Sequence, residues 1–227
     1  ILFPVIPNNV ISCLLVMRDH SVWLGTDAGL CKYDAENGTF VVYNRELTGG
    51  VLDYTAIKSL LEDSEGDLWI GTWSSGLYRY VPSTEKFYAY PTMNERNSAH
   101  VIYEDTNKNI WVGSWDCGLF KLNNPKNLRT VSYVNYRHKT GDSTSLSDDI
   151  VYDINEDLNT GTLWVGTRSG LSIMSKNIPG RFINYRSRSS SHYIFCDEIN
   201  TILRDKAGMM WIGSIGGGVL AVDTNQP

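Results

Sequence analysis

Apolar and polar residues alternate in short runs along most of this chain, and turn residues cut the runs apart. A period of two over four to eight residues predicts half-buried β-strands rather than helices. One set of runs ends in an acid: "VISCLLVMRD", "AIKSLLED", "HVIYED", "IVYDINED" and "INTILRD", which places Asp19, Asp63, Asp105, Asp157 and Asp205 alike. A short polar turn follows each, and then Trp-[Leu/Ile/Val]-Gly-[Thr/Ser], as in "LWIGTWSSGLYRY" at 68–80. A brief loop leads to Gly-[Leu/Val] and another apolar strand. In four units a last run closes on Tyr, in "FVVY", "FYAY", "VSYVNY" and "FINY".

The tryptophans of this pattern are Trp23, Trp69, Trp111, Trp164 and Trp211, spaced by 46, 42, 53 and 47 residues. Self-similarity at 40 to 50 residues is the mark of a propeller or solenoid. Four antiparallel strands per unit, here a (ending at the Asp), b (Trp-x-Gly), c and d, make a β-propeller blade. The expected fold is therefore all-β. It is a single propeller domain or fragment over 1–227, with units at about 8–43, 55–90, 98–136, 147–185 and 197–227. The indoles are expected to fill the gaps between neighbouring blades. The Gly two residues after each Trp is expected to leave room for the next blade. A second Gly (Gly29, Gly76, Gly118) should supply positive φ in the b–c turn. The last unit lacks a d strand, and "ILFPVI" precedes the first a strand, so residues 1–6 could complete the last blade in a five-bladed ring. Five blades of a larger ring, seven being usual, fit equally.

Composition narrows the function classes. Twenty Gly and seven Trp in 227 residues suit a turn-rich β protein. A net charge of −5 carries no footprint for nucleic acid. No apolar run is long enough for a membrane helix. The chain opens without Met or a charged leader and reads as a piece of a longer protein. Cys13, Cys31, Cys117 and Cys196 show no metal spacing and read as free thiols. "NGT" at 37–39 reads as a type I′ turn in a c–d hairpin.

The pairing of "ED-x-x-G-x-LWIGT-x-x-GL" with "SLSDDIVYDINED" (145–157) resembles the two-component regulator propeller repeat, and every unit carries the likeness. The shortened "RDHSVW" and the glycine-rich "GSIGGGV" depart from it in detail. The resemblance implies the extracytoplasmic, periplasmic sensor region of a hybrid two-component receptor of Bacteroidetes, whose histidine kinase lies elsewhere in the chain. It implies an oligosaccharide or other small ligand, contacts with other propeller domains of the same receptor, and a possible homodimer. The membrane is implied only through flanking segments.

Catalytic motifs do not emerge. There is no Gly-x-Ser-x-Gly, no phosphate loop and no His-x-x-x-His among the four histidines. "DSEGD" and "DTNKN" loosely resemble calcium loops, but Ser74 and Asp116 stand where the bidentate Glu belongs. The recurrent Asp is better read as an Asx turn. No cofactor, metal or catalytic residue is expected. A propeller lyase or glycosidase, with residues converging from several blades, remains as an alternative. The feature that breaks the repeat is a pair of extra tryptophans, Trp73 and Trp115, each four residues after a framework Trp. Asp27, Arg168 and Ile215 are the equivalents. In a propeller the b–c and d–a loops share one face. Trp73, Ser74, Trp115, Asp116, Asp27 and Arg168 are thus the candidate ligand-binding residues, with flat apolar rings for stacking and polar groups for hydroxyls. The d–a loops are long and polar, and Arg186 to His192 form the only locally basic stretch, hinting at an anionic partner.

Overall fold

The computed structural model describes residues 6, 8–53, 55–93, 98–175 and 177–224. Its secondary structure is strand throughout, apart from one 3-10 turn at Pro82–Thr84. Backbone contacts divide the chain into two compact units, 1–102 and 103–227.

The first unit holds two four-stranded antiparallel meanders. One is β1 (Ile11–Val16), β2 (Val22–Thr26), β3 (Gly29–Asp34) and β4 (Thr39–Tyr43). The other is β5 (Ile57–Glu62), β6 (Leu68–Thr72), β7 (Leu77–Val81) and β8 (Lys86–Ala89). Trp23, fully buried, packs with Leu30, Ile57, Leu68, Ile70 and Tyr80 where the two sheets meet. Two flat sheets leave a wide gap, and an indole fills more of it than any other side chain. Gly25 makes the close approach possible, because a Cβ there would lie 2.7 Å from Ile57 Cγ2.

The second unit comprises three sheets, and the first strand of the first sheet runs through the division. That sheet is β9 (Val101–Glu104), β10 (Ile110–Gly113), β11 (Leu119–Asn123) and β12 (Ser132–Tyr136). The next is β13 (Val151–Asp157), β14 (Thr162–Thr167), β15 (Gly170–Met174) and β16 (Phe182–Tyr185). The last has three strands among the described residues: β17 (Ile199–Arg204), β18 (Met209–Ser214) and β19 (Gly218–Asp223). Trp164 packs on Ile199, Ile202, Met210 and Ile212 of the last sheet. A Cβ at Gly166 would stand 2.7 Å from the Ile199 carbonyl.

The inter-sheet role of the indoles thus holds for Trp23 and Trp164 but not for Trp211, which is 42% exposed. It pairs with Leu203 and Ala221, and Leu203 is itself 61% exposed. No described sheet covers that face. The expected contribution of residues 1–6 to the last blade falls outside the described residues, Ile6 apart.

The recurrent Asp does more than make a turn. Asp63 accepts the N–H groups of Glu65 and Asp67 and also the indole Nε1–H of Trp69, at 2.7 Å. Asp105 and Asp205 do the same for Trp111 and Trp211. In those three units Asp and Trp are six residues apart. Where the spacing is four (Asp19 to Trp23) or seven (Asp157 to Trp164) the carboxylate misses the indole. A hydroxyl two residues before the Trp then takes the N–H: Ser21 at 3.0 Å and Thr162 at 3.1 Å. A buried indole donor needs a partner, and the repeat supplies one by either route.

The Thr or Ser after Trp-x-Gly caps the b–c turn. Thr26, Thr72, Thr167 and Ser214 donate to the carbonyls of Gly29, Gly76, Gly170 and Gly218. As expected, Gly29, Gly76 and Gly118 have positive φ, at 133°, 90° and 81°. Among the described residues Cys13, Cys31, Cys117 and Cys196 form no disulfide. The reading of 37–39 as a type I′ turn is corrected. Asp34 pairs with Thr39, so the loop has four residues. Asp34 accepts the N–H groups of Glu36 and Asn37, and only Gly38 has positive φ. Type I′ needs positive φ at both central residues.

Candidate functional site: the b–c turn clusters

Two recurring backbone devices place side chains at the b–c turns. First, the turn apex is tied to the residue just before strand a. The N–H groups of Asp27, Trp73, Arg168 and Ile215 donate to the carbonyls of Val10, Ala56, Ile150 and Glu198. The side chains at those positions are thereby free to vary while the backbone stays fixed. Second, the a strands of four sheets carry a β-bulge at their second residue. The register shifts across Ser12, Lys58, Tyr152 and Asn200. A bulge leaves one residue out of the ladder and re-aims its side chain.

In the first unit the two devices bring Asp27, Lys58 and Trp73 together. The Lys58 ammonium lies 2.8 Å from Asp27 Oδ1 and 3.4 Å from Ser12 Oγ. It also sits 5.7 Å from the centre of the Trp73 ring, within cation–π range. The other side of this group is His100, whose ring meets Trp73 edge-on at 6.3 Å. Burial, and then the Lys58 charge, hold the His100 imidazole below its ordinary pKa. Trp73 remains 38% exposed, and Ser74 beside it is exposed. A flat apolar ring bordered by an ion pair and a hydroxyl is suited to a polyhydroxylated ligand: C–H faces stack, and hydroxyls reach the charges.

In the second unit the same positions hold different chemistry. Trp115 is half-buried, its ring edge-on to the bulge residue Tyr152 at 5.8 Å. Tyr152 donates its hydroxyl to Glu198 Oε1 at 2.8 Å. Its pKa is pushed up to about 12 by burial and by that bond. Arg168, largely exposed, reaches Asp148 Oδ2 at 3.3 Å, and Ser169 donates to the same oxygen at 2.6 Å. Asp116 accepts from the Cys117 thiol, while its backbone carbonyl takes a bond from Arg137.

The six residues singled out from the sequence therefore fall into two sets. Asp27, Trp73 and Ser74 share the first unit, and Lys58 links Asp27 to Trp73. Trp115, Asp116 and Arg168 lie in the second. Sequence reasoning missed Lys58, His100, Tyr152, Glu198 and Asp148. The available signal was the a-strand start: "AIKSLL" and "IVYDIN" carry one extra residue before the alternation settles. Among the described residues no three His, Cys, Asp or Glu side chains are placed to hold a metal ion. Nor, among those residues, is any helix long and apolar enough to cross a membrane.

Serial four-stranded meanders, packed face to face around an indole, are β-propeller blades. The family model described as two component regulator propeller matches residues 52–74 and 95–116, in two of the five units. A curated relative, "Histidine kinase P4" of Formosa agariphila, is 30% identical over 83 residues, 35% of this chain and 6% of its own. Among solved structures, the extracellular domain of a hybrid two component system of B. thetaiotaomicron aligns with TM-score 0.73 at 22% identity. That alignment covers 94% of this chain and 27% of the other. PorZ of Porphyromonas gingivalis aligns with TM-score 0.71 at 18% identity, over 94% of this chain and 32% of its own. Virginiamycin B lyase of Staphylococcus aureus aligns with TM-score 0.66 at 12% identity, over 97% and 73%. At such identities the structural likeness is one of fold. The chain spans about a third or less of the first two of these structures and a small part of the curated relative.

Proposed function

We propose that this chain is part of the extracytoplasmic, periplasmic sensor region of a two-component signalling receptor. In this reading it binds an oligosaccharide or similar polyhydroxylated ligand at the b–c turn clusters and is itself non-catalytic. The observation that carries the reading is the Trp73 ring, left exposed on a turn whose backbone is fixed, beside the Asp27–Lys58 ion pair. Exposed aromatics on rigid scaffolds are enriched for recognition. The propeller repeats and the sensor ectodomain among the structural neighbours support the receptor setting.

A second reading, contact with another propeller or a second copy of the chain, is favoured by one feature. The outer face of the last sheet exposes Leu203, Trp211 and Val219. Isolated exposed apolar residues are ordinary, and three on one face of a sheet support this reading.

Calorimetry with a panel of neutral oligosaccharides tests the first reading. At least one member should bind the native protein, and Trp73→Ala or Trp115→Ala should abolish its heat with little change in the melting midpoint. A panel that gives no heat, or variants that bind as well as the native protein, would overturn it. Sedimentation of native protein against Trp211→Glu tests the second reading. A dimer lost on substitution supports it, and a monomer in both ends it.

A further inference from the structure

A cleft of about 750 Å³ opens in the second unit, apart from the turn clusters. Its floor is the edge strand β16, where Ile183 is 51% exposed beside the buried Phe182. One wall is the loop 138–144 and the other is the loop 186–192. Both walls are tied down. Asn184 donates to the carbonyls of Ser143 and Ser145, and the Phe182 N–H donates to Thr144 O. On the other side the Arg186 N–H donates to His192 O, and the N–H groups of Ser189 and Ile194 both return to Arg186 O. The opening is thus set before any ligand arrives, which lowers the ordering cost of binding.

The lining is one-sided in its ionisable groups, with Lys139 and Arg186 the cations and two imidazoles beside them. His138, Lys139, Arg186 and His192 face it against one acid, Asp142. That acid is committed to its own turn, since Asp142 Oδ1 accepts both the N–H and the hydroxyl of Thr144. Those bonds hold its carboxyl below the usual range. Arg186 spends one guanidinium nitrogen on Ser147 O at 3.0 Å. Its Nε–H is buried and makes no hydrogen bond among the described residues. Being buried, that nitrogen acts on an anion in the cleft through the guanidinium charge rather than through a direct bond.

We infer that this cleft binds the oxyanion of a small ligand, a sulfate or carboxylate, with the rest of the ligand lying against Ile183. The protein as a whole is acidic, so the cleft is a local reversal of sign rather than part of a general basic surface.

Galactose 6-sulfate, galactose and inorganic sulfate, titrated separately at low salt, are the probes. The sulfated sugar should bind and galactose should not. Inorganic sulfate matching the sulfated sugar would support the oxyanion site and name the free anion as its source. Inorganic sulfate much weaker than the sulfated sugar would support an ester-bearing ligand. Lys139→Gln with His192→Gln, both exposed and outside the core, should weaken binding at least fivefold with an unchanged melting midpoint. Arg186→Gln should weaken it further. Absence of heat from the sulfated sugar and from sulfate, or equal binding by galactose, would overturn the inference. So would an unweakened double variant. Loss of Trp73 should leave this binding intact, which separates its failure from that of the turn-cluster reading.

Discussion

The first unit's turn cluster and the second unit's are built on one frame and filled with different chemistry. In both, the apex N–H is tied to the start of strand a, and a bulge turns one side chain toward the turn. The bulge delivers an ammonium at Lys58 and a phenol at Tyr152. Around Lys58 the result is a charge against an exposed indole; around Tyr152 it is two aromatic rings and a carboxylate. The residue after the bulge differs too: Cys13, Ser59, Asp153 and Thr201 in the four sheets. Frame and surface chemistry are therefore carried by separate positions. The Trp, the two Gly and the hydroxyl cap serve the frame, while the bulge and apex residues serve the surface.

The largest expected effect tests that separation. Trp69 is fully buried and bonded to Asp63, so Trp69→Ala should cost about 3–5 kcal/mol in urea unfolding. Trp73→Ala, four residues on and partly exposed, should cost about 1 kcal/mol or less. Equal losses would erase the division between frame and surface.

The next effect distinguishes the units by pH. Asp153 follows the bulge in the second unit, and burial pushes its carboxyl up to about 6, although it accepts the N–H groups of Ile154 and Ile202. Its folded-state pKa lies above the ordinary 3.8, so the protonated form is the stabilising one. The contribution is complete below about pH 4 and is lost as pH rises through about 6. The stability of native protein minus that of Asp153→Asn should therefore fall between about pH 4 and 6 and then level off. A flat difference profile would mean that Asp153 is better solvated than its position implies. Ser59, at the same place in the first unit, should show no such window.

The smallest effect probes the first cluster alone. Lys58→Met removes an ion pair and a positive charge facing His100. Stability should change by less than about 1 kcal/mol, because the pair is partly exposed. The His100 pKa, read by NMR, should rise toward its ordinary value, yet stay below it because burial remains the main cause. An unmoved His100 would separate it from the cluster.

Much of this was legible in the residues, and particular cases show why. The Trp-x-Gly spacing predicted the strands because alternation and glycine act locally. The Asx turn at Asp63 was legible for the same reason. Its bond to the Trp69 indole was not, since it depends on how a turn aligns a carboxylate with a ring six residues away. Trp73 stood out because it breaks a repeat, and Asp27 because it holds the equivalent position, but Lys58 looked like one more polar position in an alternating strand. A bulge is a property of two strands in register, and only the pairing reveals it. Trp211 carries the same motif as Trp164, and its exposure depends on which sheet lies against it, a long-range fact absent from any one unit.

The bulge also has a consequence for evolvability. Because the extra residue stands outside the ladder, replacing it removes no rung. Positions 12, 58, 152 and 200, with 27, 73, 115, 168 and 215, form a palette that can be repainted at nearly constant thermodynamic cost. A combinatorial library confined to those nine codons should yield varied surfaces with few unfolded members, so that duplicated blades of this build can diverge quickly while keeping one scaffold.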